Sequence, residues 1–417
     1  MSQINKTGGT TGSNQYGPRG IAKQRDPSTG TVIDQPDLMD QAASRGNGLP
    51  ISDETRALQT AISANQPVIL WGMPGEGKTS TIEDLADAMG AHAEVLIGSQ
   101  YEPSDIAGQP WVQDGQIEHL PPAWARRIAE LDPNTPSVLF FDELDKCPPA
   151  VQAACLRVIR ERVVADTRLP ENCSVVAAAN PPELGGWDLS APMANRFIHL
   201  DWQLDSQTAI QGLSSGSWPR ANRQEVEPEA LAAATANWRG LVGAFLQTRP
   251  QLVRNMPTDE THQGRAWPSP RSWEMLIHAG AQAEASGQPP VVQSMIINGT
   301  IGQGAGAEFS SWRDSMDLPN PEDVLRDPAS VEIPARSDKV MATATAVIAA
   351  VNANMNQERI DKSLAYLDRV CKAGRGDAAL PAIRAYAGIV LSGNAPWALP
   401  DEDKMKSIMQ LLKDAGQ

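Results

Sequence analysis

Short apolar runs alternate with helical stripes along the first half of this chain. Val68-Ile69-Leu70-Trp71 is a continuous apolar run, the pattern of a strand buried on both faces. Thr55, Leu58, Ala61 and Ile62 predict a helix leading into it, and Ile82, Leu85, Ala86 and Met89 predict one after it, closed by Gly90. Ala93–Gly98 reads as the next strand, and Tyr101–Gly108 as a loop. Asp114-Gly115, between the short runs of Trp111–Leu120, signals a hairpin. Ala123–Leu131 can form a helix, Ser137–Glu143 is an apolar strand ending in two carboxylates, and Pro148-Pro149 opens a helix with Val151, Ala154, Cys155, Val158 and Ile159 on one face. Cys173–Asn180 is a further buried strand.

From about Asp201 the strands stop. Ala209–Leu213, Pro228–Arg249 and Ser269–Ser286 read as helices, the last with Ser269 as N-cap, Pro270 at the first position and Gly287 at the end. Residues 291–335, mixed in pattern and rich in proline, read as a connector over the surface. Val340, Thr343, Ala344, Val347, Ile348 and Val351 form one helical stripe, and Ile360, Leu364, Leu367 and Cys371 another. Ala379–Leu391 and Lys404–Leu412 complete a C-terminal helical region. Residues 1–48 carry little periodicity and much Gly, Ser, Thr, Asn, Gln and Pro, the composition of a disordered tail.

Composition narrows the function. The 417 residues allow two or three domains, and 41% hydrophobic residues suffice for cores. A net charge of −15 disfavours general binding to nucleic-acid backbones or anionic membranes. No apolar run approaches the roughly 18 residues of a membrane span, and the N-terminus shows no secretory h-region. Cys147, Cys155, Cys173 and Cys371 form no C-x-x-C pair, so they read as small buried or half-buried side chains in a reducing cytoplasm.

The candidate chemistry sits at strand ends. Gly72-Met73-Pro74-Gly75-Glu76-Gly77-Lys78-Thr79, followed by Ser80, fits G-x-x-x-x-G-K-[ST] between a strand and a helix. The glycines let backbone N–H groups face an anion, and the helix N-terminus adds positive potential. Lys78 can reach the β- and γ-phosphates of ATP, and the Thr79 hydroxyl can ligate Mg²⁺. Asp142 is the second expected Mg²⁺ holder, and Glu143 the general base toward water. Asn180, at the end of a core strand, can orient that water or sense the γ-phosphate. Arg196 is a candidate cation for a neighbouring subunit's γ-phosphate. Arg271 opposes the macrodipole of its own helix, which an arginine facing the nucleotide from a lid would explain.

These residues, in this order, resemble an AAA+ ATPase: Walker A at Gly72–Thr79, Walker B at Val138–Glu143, sensor 1 at Asn180, arginine finger at Arg196 and sensor 2 at Arg271. Pro103–Gly108, the Asp114-Gly115 hairpin, Leu120–Trp124, Asp142–Lys146, Asn195–Phe197 and Ser269–Trp273 resemble the MoxR family in particular, over roughly Ile51–Gly287. The resemblance implies an α/β fold: a three-layer αβα P-loop core at 49–202, a helical lid at 203–290 and, as an addition, the C-terminal helical region at 336–417. It implies ATP and Mg²⁺, a ring of copies, usually a hexamer, and a client protein, often one with a von Willebrand factor A domain. The expected function is ATP-driven remodelling of that client. The alternatives are a nucleotide-gated binding module with slow hydrolysis and a nucleic-acid translocase, which the acidic charge and the lack of a basic-aromatic stretch oppose.

Overall fold

The computed structural model describes residues 51–113, 116–216, 218–219, 224–316 and 318–391. Helix α1 (Asp53–Ser63), capped by the Ser52 side chain, leads into strand β1 (Val68–Trp71). The glycine-rich loop follows, then α2 (Lys78–Met89) and β2 (His92–Ile97). The stretch read as a loop at 101–108 holds a one-turn helix, Pro103–Ala107, because Glu102 and Asp105 cap each other and Ile106 is buried. Strands β3 (Gln109–Gln113) and β4 (Gln116–Leu120) pair antiparallel as the expected hairpin, and its turn, 114–115, lies outside the described residues. Helix α3 (Ala123–Ala129), β5 (Ser137–Asp142), α4 (Pro149–Glu161), the small ribbon β6 (Val163–Val164) and β7 (Thr167–Arg168), β8 (Cys173–Ala179) and β9 (Ile198–Asp201) complete this part.

The main sheet has the order β2-β5-β8-β1-β9, and all its pairings are parallel. Both faces are covered, which is why its strands read as unbroken apolar runs. Alternate residues serve opposite cores. Val68, Leu70, Val138, Phe140, Val176 and Ala178 pack with α1 and α2, while Ile69, Leu139, Phe141, Val175 and Ala177 pack with α3 and α4. This is the expected three-layer αβα arrangement. Cys147, Cys155 and Cys173 are buried and Cys371 half-buried, all as free thiols.

Helices follow the sheet: α5 (Ser206–Ser215), α6 (Pro228–Thr248) and α7 (Pro270–Ala285). The segment read as a surface connector then forms α8 (Pro290–Ile301), α9 (Gln303–Asp314) and the short helix Pro321–Arg326. The prolines stand at the first helical positions, where no N–H is needed. Helix α8 shows no amphipathic stripe because Val292, Ile296, Ile297 and Ile301 are all fully buried between α1, α7 and the β9 edge. Gly299 makes that approach possible, since a Cβ there would lie 2.2 Å from the His199 carbonyl oxygen. Helices α10 (Ser337–Ala353), α11 (Gln357–Lys372) and α12 (Gly376–Leu391) form a further apolar cluster, with α10 packed along α6. The expected tail at 1–48 and helix at Lys404–Leu412 lie outside the described residues.

Phe309 of α9 is fully buried at the centre of an aromatic cluster, with ring centroids 5.2 Å from Phe245, 5.8 Å from Trp273 and 5.9 Å from Trp238. Each such pair is worth about 0.5–1.5 kcal/mol beyond area burial. Phe309→Ala is therefore expected to cost about 3–5 kcal/mol in denaturant unfolding. A loss within about 0.5 kcal/mol, the range of ordinary surface substitutions, would return the segment to a surface connector.

Candidate active site

The glycine-rich loop is gripped from both neighbouring strands. The Gly72 N–H donates to the Ala179 carbonyl at 3.2 Å, extending the β1–β8 ladder. On the other side the Trp202 N–H donates to the Trp71 carbonyl at 2.6 Å, and the Trp202 indole to the Glu76 carbonyl at 3.1 Å. A Cβ on Gly72 would lie 2.5 Å from the Trp202 carbonyl oxygen, so only glycine fits. Gly75 and Gly77 take φ of +85° and +73°, backbone that L side chains rarely adopt. Gly77 caps α2 without a side-chain bond, which leaves its first-turn N–H groups to an anion. The Glu76 carboxylate accepts from the Met73 N–H at 3.0 Å, so an anion already rests on part of the loop. Met73, Pro74 and Ser80 are exposed around it.

Lys78 is buried and folds back on the loop, its Nζ donating to the carbonyls of Gly72 at 2.7 Å and Met73 at 3.0 Å. Burial lowers its pKa, and the charges of Asp142, Glu76 and Asp145 oppose that shift. The Thr79 hydroxyl donates to Asp142 Oδ2 at 2.8 Å. Two oxygens thus meet at the start of α2, a pair of hard donors of the kind that suits Mg²⁺.

Glu143 follows β5 at φ +54°, a left-handed conformation costing on the order of 1–3 kcal/mol for a side chain of this kind. Its N–H donates to Asp142 Oδ1 at 2.9 Å, and its Oε2 accepts from the Ser99 hydroxyl at 2.6 Å. Asn180 stands at the next strand end, with its N–H donating to Asp145 Oδ1 at 3.1 Å and its Nδ2 to Asp145 Oδ2 at 3.4 Å. Parallel pairing therefore brings Lys78, Thr79, Asp142, Glu143 and Asn180 together.

Arg196 lies elsewhere, with other arginines. Its guanidinium donates to the Pro192 carbonyl, and its Nε is buried without a partner. Burial lowers its pKa, as do the nearby charges of Arg271 and Arg160. Asn195 joins the two segments. Its Oδ1 accepts from the Ser269 hydroxyl at 2.6 Å and its Nδ2 donates to the Trp267 carbonyl at 3.0 Å, which ties the start of α7 beside Arg196. Ser269 caps that helix as expected. Arg271 in its first turn is thus grouped with Arg196, and no hydrogen bond or ion pair among the described residues links it to Gly72–Ser80.

Sequence reasoning gave no role to Ser99, Asp145, Arg160 or Trp202. Asp145 and Ser99 act through partners remote in sequence. An aromatic residue after a strand carries no signal of its own.

Beside the loop, buried His199 accepts from the Trp71 indole at Nδ1, 3.0 Å away, and its Nε2 bonds the Ala194 carbonyl at 2.9 Å. The indole can only donate, so the ring is neutral with its proton on Nε2. Arg265 stacks over Trp71 at 4.0 Å and donates to Asp201 at 3.2 Å.

The family profile described as an AAA domain of the dynein-related subfamily matches residues 67–197. That stretch holds the loop, both carboxylates, Asn180 and Arg196, and Arg271 lies beyond it. The chain is 32% identical to Protein MoxR of Methylorubrum extorquens over 150 residues, 34% of this chain and 42% of that protein. It is 30% identical to Chaperone MoxR1 of Mycobacterium tuberculosis over 137 residues, 31% of this chain and 34% of that protein. A more distant likeness, 24% over 213 residues, is to the proteasome-activating nucleotidase of Methanosarcina mazei, covering 48% of this chain and 46% of that protein. The match thus spans less than half of each of these relatives.

Burial lowers the His199 pKa from 6.5 to about 4. Below pH 6.5 the unfolded chain takes up a proton that the fold refuses, so stability falls with pH until about pH 4. At about 1.4 kcal/mol per unit the loss is about 3 kcal/mol. His199→Gln cannot titrate, and its thermal midpoint should fall less steeply than the wild type's between pH 6.5 and 4. Equal slopes would contradict this placement of His199.

Proposed function

We propose that this MoxR-like AAA+ chain binds ATP with Mg²⁺ and hydrolyses it at the interfaces of a ring, using the cycle to remodel or activate a client protein. The observation that carries the reading is a division of labour within one chain. The Lys78, Thr79, Asp142, Glu143 and Asn180 side chains gather at one row of strand ends, while Arg196 and Arg271 cluster elsewhere with no ion pair among the described residues. Arg196 is half-buried and has no carboxylate partner among the described residues, which leaves its guanidinium able to meet an anion from another copy.

In the proposed site the loop N–H groups and Lys78 hold the phosphates, Lys78 giving up its bonds to the Gly72 and Met73 carbonyls. Thr79 and Asp142 would hold Mg²⁺, which when bound offsets the charge of the β- and γ-phosphates. Glu143 takes a proton from water as the water oxygen bonds to the γ-phosphorus and the bond to the bridging oxygen breaks, releasing ADP and phosphate. For this Glu143 must leave Ser99. Asn180 orients the water. Arg196 and Arg271 of the next copy face the charge that develops on the transferring group.

The number of copies, six by family resemblance, and a client with a von Willebrand factor A domain belong to the proposal, as does a cytoplasmic setting. No helix among the described residues is long and apolar enough to cross a membrane.

Three variants test the reading. Lys78→Ala should lose ATP binding, and tight binding retained by it would show that the loop is not the site. Glu143→Gln should still bind ATP while turnover falls about 10²–10⁴-fold, the usual worth of a general base. Near-normal turnover would remove Glu143 from that role. Arg196→Ala should lose about 10³-fold or more, and mixing it with Lys78→Ala copies should restore part of the activity, since each supplies what the other lacks. No rescue would argue against a shared site.

A further inference from the structure

Asp145 is a carboxylate beneath the site whose charge also reaches Lys78 and to which the reading above gives no direct contact with nucleotide or metal. It lies in the 3₁₀ turn Leu144–Lys146, just after Glu143, and is only 4% exposed. A carboxylate so placed needs partners for its oxygens. Oδ1 accepts from the Asn180 backbone N–H at 3.1 Å, and Oδ2 from Asn180 Nδ2 at 3.4 Å and Lys146 Nζ at 3.3 Å. Most of what it binds is therefore a single residue, Asn180, just past the end of β8.

An ionised carboxylate only accepts. It consequently decides which way the Asn180 amide turns, with Nδ2 toward Asp145 and Oδ1 away from it. The chain beyond Asn180 is held to the same turn. The Trp187 N–H donates to the Asp145 carbonyl at 2.7 Å, and Lys146 Nζ donates to the Gly185 carbonyl. Gly186 is packed so closely that a Cβ would lie 2.9 Å from the Asp145 carbonyl oxygen and 3.1 Å from Oδ2. The turn that follows the Walker B carboxylates and the loop that follows Asn180 are thus locked to each other through Asp145.

We propose that Asp145 is a positioning residue for Asn180: it fixes the amide so that Oδ1 is presented to the attacking water as a hydrogen-bond acceptor. This rests on the ATPase reading above. It assigns Asn180 to orienting water rather than to sensing phosphate, and it couples that orientation to the segment carrying Glu143. A carboxylate that merely stabilised its own turn would have no such coupling.

The test is a double-mutant cycle on the full chain with Asp145→Asn and Asn180→Ala, reading kcat, KM for ATP and the thermal midpoint. An asparagine of the same size can donate as well as accept and no longer dictates the orientation of Asn180. Asp145→Asn should lower kcat by about tenfold to a hundredfold, the scale of a mispositioned reacting group, with KM changed by less than about twofold. In the Asn180→Ala background the same change should cost less than about twofold, since its target is gone. Gly186→Ala, which presses on Asp145 from the opposite loop, provides a second perturbation should Asp145→Asn fold poorly, and its loss of kcat should likewise vanish without Asn180.

Losses that multiply in the double variant, or a kcat loss matched by a fall in ATP affinity, would make Asp145 a structural residue and overturn the proposal. Wild-type turnover with an unchanged kcat in Asp145→Asn would defeat this proposal alone. A wild type that neither binds nor hydrolyses ATP would defeat the ATPase reading and the proposal with it.

Discussion

Every part of the candidate site depends on how β1 is held between β8 and β9. Trp71 stands opposite Ala179 on one side and Asp201 on the other, and the ladder continues past it through Gly72 to Ala179 and Trp202 to Trp71. The loop therefore leaves the sheet at a defined height and is braced by the Trp202 indole. Phe141 stands opposite Ala177 and Ile97 opposite Asp142, so the ends of β5, β8 and β2 fall into the same row. A slip of one residue would turn every side chain of a strand to the other face and carry Asp142 out of reach of Thr79. The apolar residues that alternate between the two cores prevent that slip, and in this way packing sets the geometry of the chemistry.

A second constraint joins the helices to the sheet. Helix α8 lies against the β9 edge through Gly299, and Asn195 ties the start of α7 to the segment before β9. The first contact buries an edge strand, and the second collects Arg196 and Arg271. Partial burial of the Arg196 side chain costs energy, and the like charges of Arg271 and Arg160 add to it. In the proposed ring that cost is offset when the phosphates of a neighbouring copy supply the missing anion. The same feature would make assembly and nucleotide binding strengthen each other.

The parts legible in the sequence are those governed by neighbours in the chain. The Val68–Trp71 run, the glycine-rich loop and the stripe of Ile82, Leu85 and Met89 follow from local rules, as do the carboxylates ending β5 and the Ser269 cap. The parts that were not legible depend on contacts made only after folding. Helix α8 is hidden in the sequence because burial on most sides removes its amphipathic stripe and because the proline that opens it looks like a breaker, and α9 because Gly302, Gly304 and Gly306 weaken its helical pattern. Asp145 and Asn180 are 35 positions apart, Ser99 and Glu143 are 44 apart, and Asn195 and Ser269 are 74 apart, so no local pattern links them. Arg271 was recognisable as an oddity in the first turn of its helix. Its company could be known only once Asn195 had placed that turn.

The account stands most directly on the claim that one copy of this chain cannot complete its own site. The measurement that tests it is ATP turnover per copy as protein concentration is raised from well below to well above the point where larger assemblies form, followed in parallel by light scattering. The account predicts that specific activity is near zero for isolated copies and rises with assembly to a plateau. Full specific activity in the monomer, constant across the whole range, would contradict it.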